Sequence, residues 1–325
     1  VAGGHDGLPG HSTGNGGTGN GPRRRLLTAK EYIDGVLSGD RVLLARAITL
    51  IESNAPAHQA IAQEVLAGLL DKRGDSVRVG VTGVPGAGKS TFIEALGSGL
   101  TARGHRVAVT AVDPSSSLTG GSILGDKTRM EKLASDPRAF IRPSPTGGTL
   151  GGVARKPRET ILLFEAAGYD VILVETVGVG QSEYQVAAMV DFFMLLMLPG
   201  GGDELQGIKR GIMELADLVL VNQADDGLEE KAQQSANEYR HALQLLRPRS
   251  SDWKVEVATC SARDNIGIDA AWDAITRHQA AIKGSGELET VRAEQARAWM
   301  AEGDRRIARY DVSFCHGNFS APPHV

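Results

Sequence analysis

From Val77 onward, short apolar runs alternate with longer stretches in which apolar residues recur every three or four positions. The runs VRVGVT, RVAVTAV, AFIRP, DVILVET, FFMLLML, DLVLVN and KVEVAT are the strand candidates, and several of them are near-continuously apolar. They predict strands covered on both sides, as in a parallel sheet flanked by helices. Intervening stretches such as PRETILLFEAAG and EEKAQQSANEYRHALQLL carry the helical spacing. The expectation is therefore an α/β fold with a mostly parallel central sheet, whose ligands bind at the carboxyl ends of the strands.

Outside that alternation the pattern changes twice. Between about Thr28 and Lys72, LLARAITLIES and AIAQEVLAGLLDK have apolar residues three and four apart, with NAPAH between them as a breaker. This predicts an N-terminal helical extension over 26–75, ahead of the main domain over 76–284. A C-terminal helical segment from Glu287 to about Tyr310 and an unpatterned tail fill 285–325. The first 25 residues, rich in Gly, Asn, Ser and Thr, offer too little apolar surface to offset ordering entropy and are expected to be disordered.

Composition narrows the function classes. The 325 residues are 41% hydrophobic, which suits an ordinary globular core. A net charge of −4 gives no global attraction to nucleic acid or anionic membrane, and neither is expected as a partner. The longest apolar runs fall well short of the ~20 residues that a membrane helix needs. Two cysteines, Cys260 and Cys315, argue against a disulfide scaffold or a zinc–cysteine site and fit a reducing compartment.

The chemistry begins at VTGVPGAGKST, Val81 to Thr91. A β-branched strand pattern precedes it, and Phe92, Leu96 and Leu100 follow at helical spacing. Gly83, Val84, Pro85, Gly86, Ala87, Gly88, Lys89 and Ser90 match the phosphate-loop pattern GxxxxGKS/T, with Thr91 next. Glycines let backbone N–H groups turn inward around a β-phosphate, Lys89 can bridge the β- and γ-phosphates, and the Ser90 hydroxyl can ligate Mg²⁺. The helix that follows points its positive end at the same anion. The fold class becomes a P-loop NTPase.

Acids downstream suit the metal side. Asp113 ends a strand in AVDPSSS, Asp126 lies in GDKTRM, and Glu175 ends the strongest strand, followed by Thr176 and Gly178. Each alone is as well explained as a strand-end cap or surface charge. Together, behind a phosphate loop, they point to metal and water positioning, with Gly178 as a γ-phosphate contact. Base recognition comes last in the chain. Asn222 and Asp225 follow one buried strand, Ser261 and Ala262 the next. An aspartate can accept from guanine N1–H and its exocyclic amine, the Asn can brace the loops, and the Ser-Ala loop can donate an N–H to O6. Gln223 stands where most GTPases have lysine, so guanine preference is expected with weaker affinity.

The run GVTGVPGAGKST … AVDPSSSLTGGSILGDKTRM … AFIRPSPTGGTLGGVA … VILVETVGVGQSE … LPGGGDELQGIKRGIMELADLVLVNQADD resembles the methylmalonyl-CoA mutase-associated GTPases of the MeaB, ArgK and MMAA type. The likeness covers roughly Arg41 to Trp299. It implies a homodimeric GTPase that binds an adenosylcobalamin-dependent acyl-CoA mutase. GTP hydrolysis would gate cofactor delivery from an adenosyltransferase, and the metallochaperone would protect the mutase. By position, Lys89, Asp113, Asp126 and Glu175 would be catalytic, with GTP/GDP and Mg²⁺ as ligands. The loop LPGGGDELQGIK, with Gly200, Asp203, Glu204, Gln206 and Lys209, would couple nucleotide state to the mutase. The family's C-terminal dimerisation arm is expected to be shortened here. A bacterial cytoplasmic setting is favoured, or the mitochondrial matrix if the source is eukaryotic.

No histidine or arginine is placed by sequence as an obvious base or finger, although Arg155, Arg158 and Lys209 are candidates for charge stabilisation. Intrinsic turnover is therefore expected to be slow and raised by the partner. Three alternatives stand beside this reading: a kinase passing the γ-phosphate to an acceptor, a nickel-inserting GTPase, and an inactive nucleotide-binding scaffold.

Overall fold

The computed structural model describes residues 26–53, 55–72, 74–112, 130–142, 156–176, 182–200, 210–246, 249–250 and 252–301. Asp113, Asp126, Arg155, Gly178, Asp203, Glu204, Gln206 and Lys209 lie outside them, as do both tails.

Seven parallel strands form one sheet: β1 (Val77–Gly83), β2 (Val107–Val112), β3 (Ala139–Arg142), β4 (Val171–Thr176), β5 (Phe192–Met197), β6 (Leu218–Val221) and β7 (Glu256–Thr259), in the order β3-β2-β4-β1-β5-β6-β7. All of the expected strand runs are present. From β1 the chain steps over to β2 and β3, returns through β4, and then continues with β5 on the other side of β1. That reversal leaves a crevice at the carboxyl end of β1, the position where open parallel sheets take ligands.

Three helices precede the sheet: α1 (Ala29–Leu37), α2 (Arg41–Glu52) and α3 (Pro56–Leu69), the last continued by a 3-10 turn at Leu70–Lys72. Their starts are written locally. Thr28 and Glu31 form a reciprocal capping box, the Asp40 carboxylate accepts from the N–H groups of Val42 and Leu43, and Pro56 opens α3 within the NAPAH breaker. Their apolar faces, including Val36, Leu44, Ile48, Ile51, Val65 and Leu69, share a core with Phe164 of α6 (Pro157–Ala166) and with Phe140 and Tyr169. The other face of the sheet is covered by α4 (Lys89–Ala102) and α10 (Ile268–Gly284). Phe92, Ile93, Leu96 and Leu100 meet Trp272 and Ile275 there. Short helices α5 (Glu131–Ser135), α7 (Ser182–Ala187) and α8 (Arg210–Met213) fill connections, and α9 (Glu229–Leu243) precedes β7.

The final described helix, α11 (Glu287–Ala301), is held by ions rather than by an apolar stripe. Arg292 pairs with the buried Asp191 at 2.7 Å and donates to the Ser76 carbonyl, and Gln295 donates to the Val190 carbonyl at 2.8 Å. These acceptors stand just before β1 and β5, so α11 is tied to the end of the sheet opposite the phosphate loop. Arg158 also goes there, its Nη1 donating to the Gln295 carbonyl at 2.7 Å. Among the described residues no helix is long and apolar enough to cross a membrane.

A second buried polar cluster sits under β5 and β6. Asp217 accepts from the Phe193 N–H at 2.8 Å, lies 3.3 Å from the Arg249 guanidinium and 3.8 Å from the His278 ring. Burial raises the Asp217 pKa to about 6 against the opposing pull of Arg249. Burial lowers that of His278 to about 4, with Arg249 reinforcing the shift. The two signs oppose each other. A raised Asp217 contributes stability below the ordinary carboxylate pKa that is lost as pH rises towards 6. A depressed His278 contributes stability above the ordinary histidine pKa that is lost as pH falls towards 4. Between about pH 4 and pH 6 the folded chain keeps on Asp217 the proton that the unfolded chain keeps on His278, so this pair adds little slope. Replacing His278 with Gln leaves Asp217 uncompensated. Urea denaturation of that variant should show stability falling with rising pH across this window, by on the order of 1 kcal/mol per pH unit relative to wild type. A parallel profile would refute the compensation.

Candidate functional site

The rim of the crevice is built from the carboxyl ends of five strands. β1 runs into the phosphate loop, Gly83 to Ser90, and α4 begins at Lys89. Two glycines in this loop are required by geometry. Gly83 has φ +149° and a Cβ there would meet the Leu196 carbonyl oxygen of β5 at 2.2 Å. Gly88 caps α4 with φ +81°, and a Cβ there would meet Asn222 Nδ2 at 2.7 Å. The loop is thus threaded against β5 on one side and the residue after β6 on the other.

Lys89 folds back over the loop. Its ammonium donates to the carbonyls of Gly83 at 2.9 Å and Val84 at 3.3 Å. Burial lowers its pKa from the ordinary lysine value, while the negative charges of Glu175 and Glu183 oppose that shift. Both acids are themselves buried. Glu183 stands in α7, in the run VGVGQSE, where by spacing alone it reads as a surface helix charge. Its burial and its field on Lys89 mark it only in three dimensions.

Next to the lysine, the Ser90 hydroxyl donates to Glu175 Oε1 at 3.0 Å. The sheet makes this contact possible. β4 lies beside β1 with Val81 in register with Glu175, so the end of one strand meets the first turn after the other. Thr82 and Thr176 extend the same pairing through their hydroxyls, 2.9 Å apart. A buried hydroxyl against a buried carboxylate beside a lysine is a hard oxygen donor set, and it fits Mg²⁺. Among the described residues no group of three His, Cys, Asp or Glu gathers for a metal. A nucleotide-bound Mg²⁺ needs none, since it takes one or two protein oxygens with phosphates and waters.

On the other side of the phosphate loop, Asn222 is the joint. Its Nδ2 donates to the Ala87 carbonyl at 2.7 Å, and its Oδ1 accepts the Ala262 N–H at 3.0 Å and the Cys260 thiol at 3.4 Å. One buried amide therefore fixes the phosphate loop to the loop after β7. Burial first and Asp225 second push the Cys260 thiol up to about 12, so it acts here as a neutral donor. Asp225 accepts from the Ser261 hydroxyl and pairs with the Arg263 guanidinium at 3.1 Å. Gln223 has a left-handed backbone, φ +62°, and its Nε2 donates to the Gly86 carbonyl at 2.9 Å. Its side chain is fastened to the phosphate loop. Arg263, which sequence reading passed over, reaches this cluster from the loop after Ala262. Gly200 lies further along the rim, φ +80°, its N–H donating to the Ser235 hydroxyl of α9 at 2.8 Å.

A phosphate loop at the reversal of a parallel sheet, with an acid from the neighbouring strand against its serine, defines a P-loop NTPase. The chain belongs to the family described as methylmalonyl Co-A mutase-associated GTPase MeaB, whose model matches residues 44–310. It is 57% identical over 264 residues to a probable GTPase of Mycobacterium tuberculosis, covering 81% of this chain and 79% of that one. It is 51% identical over 273 residues to the GTPase ArgK of Escherichia coli, covering 84% and 82%. The mouse protein named methylmalonic aciduria type A homolog, mitochondrial, is 51% identical over 276 residues, covering 82% of this chain and 66% of that one. Among solved structures, a crystal structure titled LAO/AO transport system kinase superposes with a TM-score of 0.74 at 40% identity, covering 90% of this chain and 89% of that one. The chain is accordingly a GTPase, with GTP and GDP as its nucleotides.

The amide joint gives a direct test. Replacing Asn222 with Ala leaves the Ala87 carbonyl and the Ala262 N–H without their partner. The nucleotide-free chain should lose about 2 kcal/mol or more in urea denaturation, and GDP affinity should fall with it. Unchanged nucleotide-free stability would mean that the two loops are held by something else.

Proposed function

We propose that this GTPase is a nucleotide-dependent chaperone of an adenosylcobalamin-dependent acyl-CoA mutase, methylmalonyl-CoA mutase or a close relative. In this reading GTP hydrolysis gates loading of the mutase with its cofactor, with an adenosyltransferase as donor and a homodimer as the working form. The client rests on family membership, whose description names association with that mutase. The observation that carries the nucleotide chemistry is the two-sided bridge of Asn222, which sets Asp225 and Ala262 at a fixed place relative to the phosphate loop.

Hydrolysis would take the following course. Lys89 leaves the carbonyls of Gly83 and Val84 for the β- and γ-phosphates, which are better acceptors for an ammonium. Ser90 and Glu175 would hold Mg²⁺, with Asp113 and Asp126 as further candidate acids; the ion would supply charge neutralisation for the transferred phosphoryl group. The backbone of Gly83 to Thr91 cradles the phosphates. Water attacks the γ-phosphorus in line, the bond to the β-phosphate oxygen breaks, and inorganic phosphate and GDP leave. Asp225 accepts from guanine N1–H and the exocyclic amine, and the Ala262 loop faces O6. Gly178 reports the γ-phosphate, and the loop bearing Gly200, Asp203, Glu204, Gln206 and Lys209 relays that state to the client.

Two measurements test the reading. Phosphate release from GTP should be slow for the isolated chain and rise when an adenosylcobalamin-dependent mutase is added; equal rates with and without the mutase would remove the client. Replacing Asp225 with Asn exchanges an acceptor for a donor. GDP binding should weaken about a hundred-fold or more while xanthosine diphosphate, with a carbonyl in place of the amine, gains. Loss of neither preference would move base reading away from Asp225.

A further inference from the structure

We propose that Gln295 of α11, at the end of the sheet opposite the phosphate loop, is a positioning residue for GTP hydrolysis: it braces α6 against the turn between α7 and β5. The proposal needs only the GTPase activity of the chain, not its client. Three observations lead to it.

First, Gln295 is a link with two ends. Its Nε2 donates to the Val190 carbonyl at 2.8 Å, and its own carbonyl accepts from the Arg158 guanidinium of α6 at 2.7 Å. Among the described elements α6 is the first after β3, and α7 the first after β4, the strand that ends in Glu175 and Thr176. One residue of the C-terminal helix therefore joins the two helices by which the chain returns from the rim. Second, both helices bear on β1, the strand that runs into the phosphate loop. Val186 of α7 and Val190 press on Gly80, where a Cβ would meet them at 2.8 and 3.1 Å, and Glu165 of α6 accepts from Arg78 Nε at 2.8 Å. α7 also carries the buried Glu183, whose negative charge sustains that of Lys89. Third, Gln295 holds its place at a cost to the fold. Its Oε1 is buried, and no donor among the described residues reaches it. Turning the amide over would set that oxygen against the Val190 carbonyl, an acceptor against an acceptor. A dry acceptor without a donor destabilises. Docking of α11 does not depend on it, because Arg292 already pairs with the buried Asp191 at 2.7 Å.

A side chain that is not the anchor of its helix, and that leaves a buried atom unpaired, acts through what it joins. Pinned at its root by Gln295, α7 keeps its first turn, with Glu183, at a fixed place relative to the end of β1. A displacement on the order of 1 Å at a reacting group costs a large factor in rate even when it originates far away. Binding of GDP, made by the backbone of the phosphate loop and by the loops after β6 and β7, does not pass through this brace.

The test is phosphate release from GTP in a single turnover by the full chain in excess, beside GDP affinity and the urea midpoint of the nucleotide-free protein. The set is wild type, Gln295→Met, Arg158→Met, Arg158→Lys and the Gln295→Met/Arg158→Met double variant. Gln295→Met fills the same space without the amide. Its release should slow about five-fold or more. Its GDP affinity should hold and its midpoint should stay or rise, because the orphaned oxygen goes together with the lost hydrogen bond. Arg158→Met should slow release to a similar extent, and Arg158→Lys, which keeps a donor for the Gln295 carbonyl, should retain most of the rate. The two links act in series, so the double variant should be no slower than the slower single one. Unchanged release by Gln295→Met would overturn the proposal. A midpoint and a GDP affinity of Gln295→Met that fall together with release would do so too, as the mark of an ordinary structural contact. Losses that multiply in the double variant would show two independent effects and remove the brace.

Discussion

The side-chain amide of Asn222 joins two loops that the chain separates by about 175 residues of sequence, from Ala87 to Ala262. It does so in a buried place, where a donor and an acceptor left unpaired would each cost about 1–3 kcal/mol. One side of the site depends on that joint. It positions Asp225 and the Ser261–Ala262 loop with respect to the phosphates, and it forces Gly88 to lack a side chain, because a Cβ would strike the amide. The phosphate loop and the loop after β7 are consequently mechanically linked.

The opposite side of the loop obeys a different constraint. Lys89, Glu175 and Glu183 share a buried space, and burial works against the lysine charge while the acids sustain it. Ser90 completes the group through Glu175. Removing charges from water is tolerable here because they are opposite in sign, and because Lys89 and Glu175 have hydrogen-bond partners of their own.

Sheet order turns these local features into a site. β4 inserts between β1 and β2, which puts Glu175 beside the phosphate loop, while β5, β6 and β7 extend the rim on the other side. The N-terminal helices and α11 stabilise the sheet away from this rim, the helices through apolar packing on α6 and α11 through Arg292 and Gln295. The catalytic edge is therefore free to be built from loops.

Much of this was legible in the chain. Continuous apolar runs specify strands buried on both faces, helical spacing specifies the layers, and GxxxxGKS with its flanks specifies a phosphate loop, because each is a local demand of backbone sterics or burial. The order of Asn222, Asp225, Ser261 and Ala262 behind that loop pointed to guanine. What remained hidden is whatever depends on distance across the sheet. That Glu175 meets Ser90, that Glu183 is buried rather than wet, that Gln223 ties to Gly86 and that Arg263 pairs with Asp225 are facts of strand order and loop approach. A surface charge and a site charge read alike in sequence. Only the packing of the parallel sheet, which fixes which strand ends are neighbours and which side chains are dry, tells them apart.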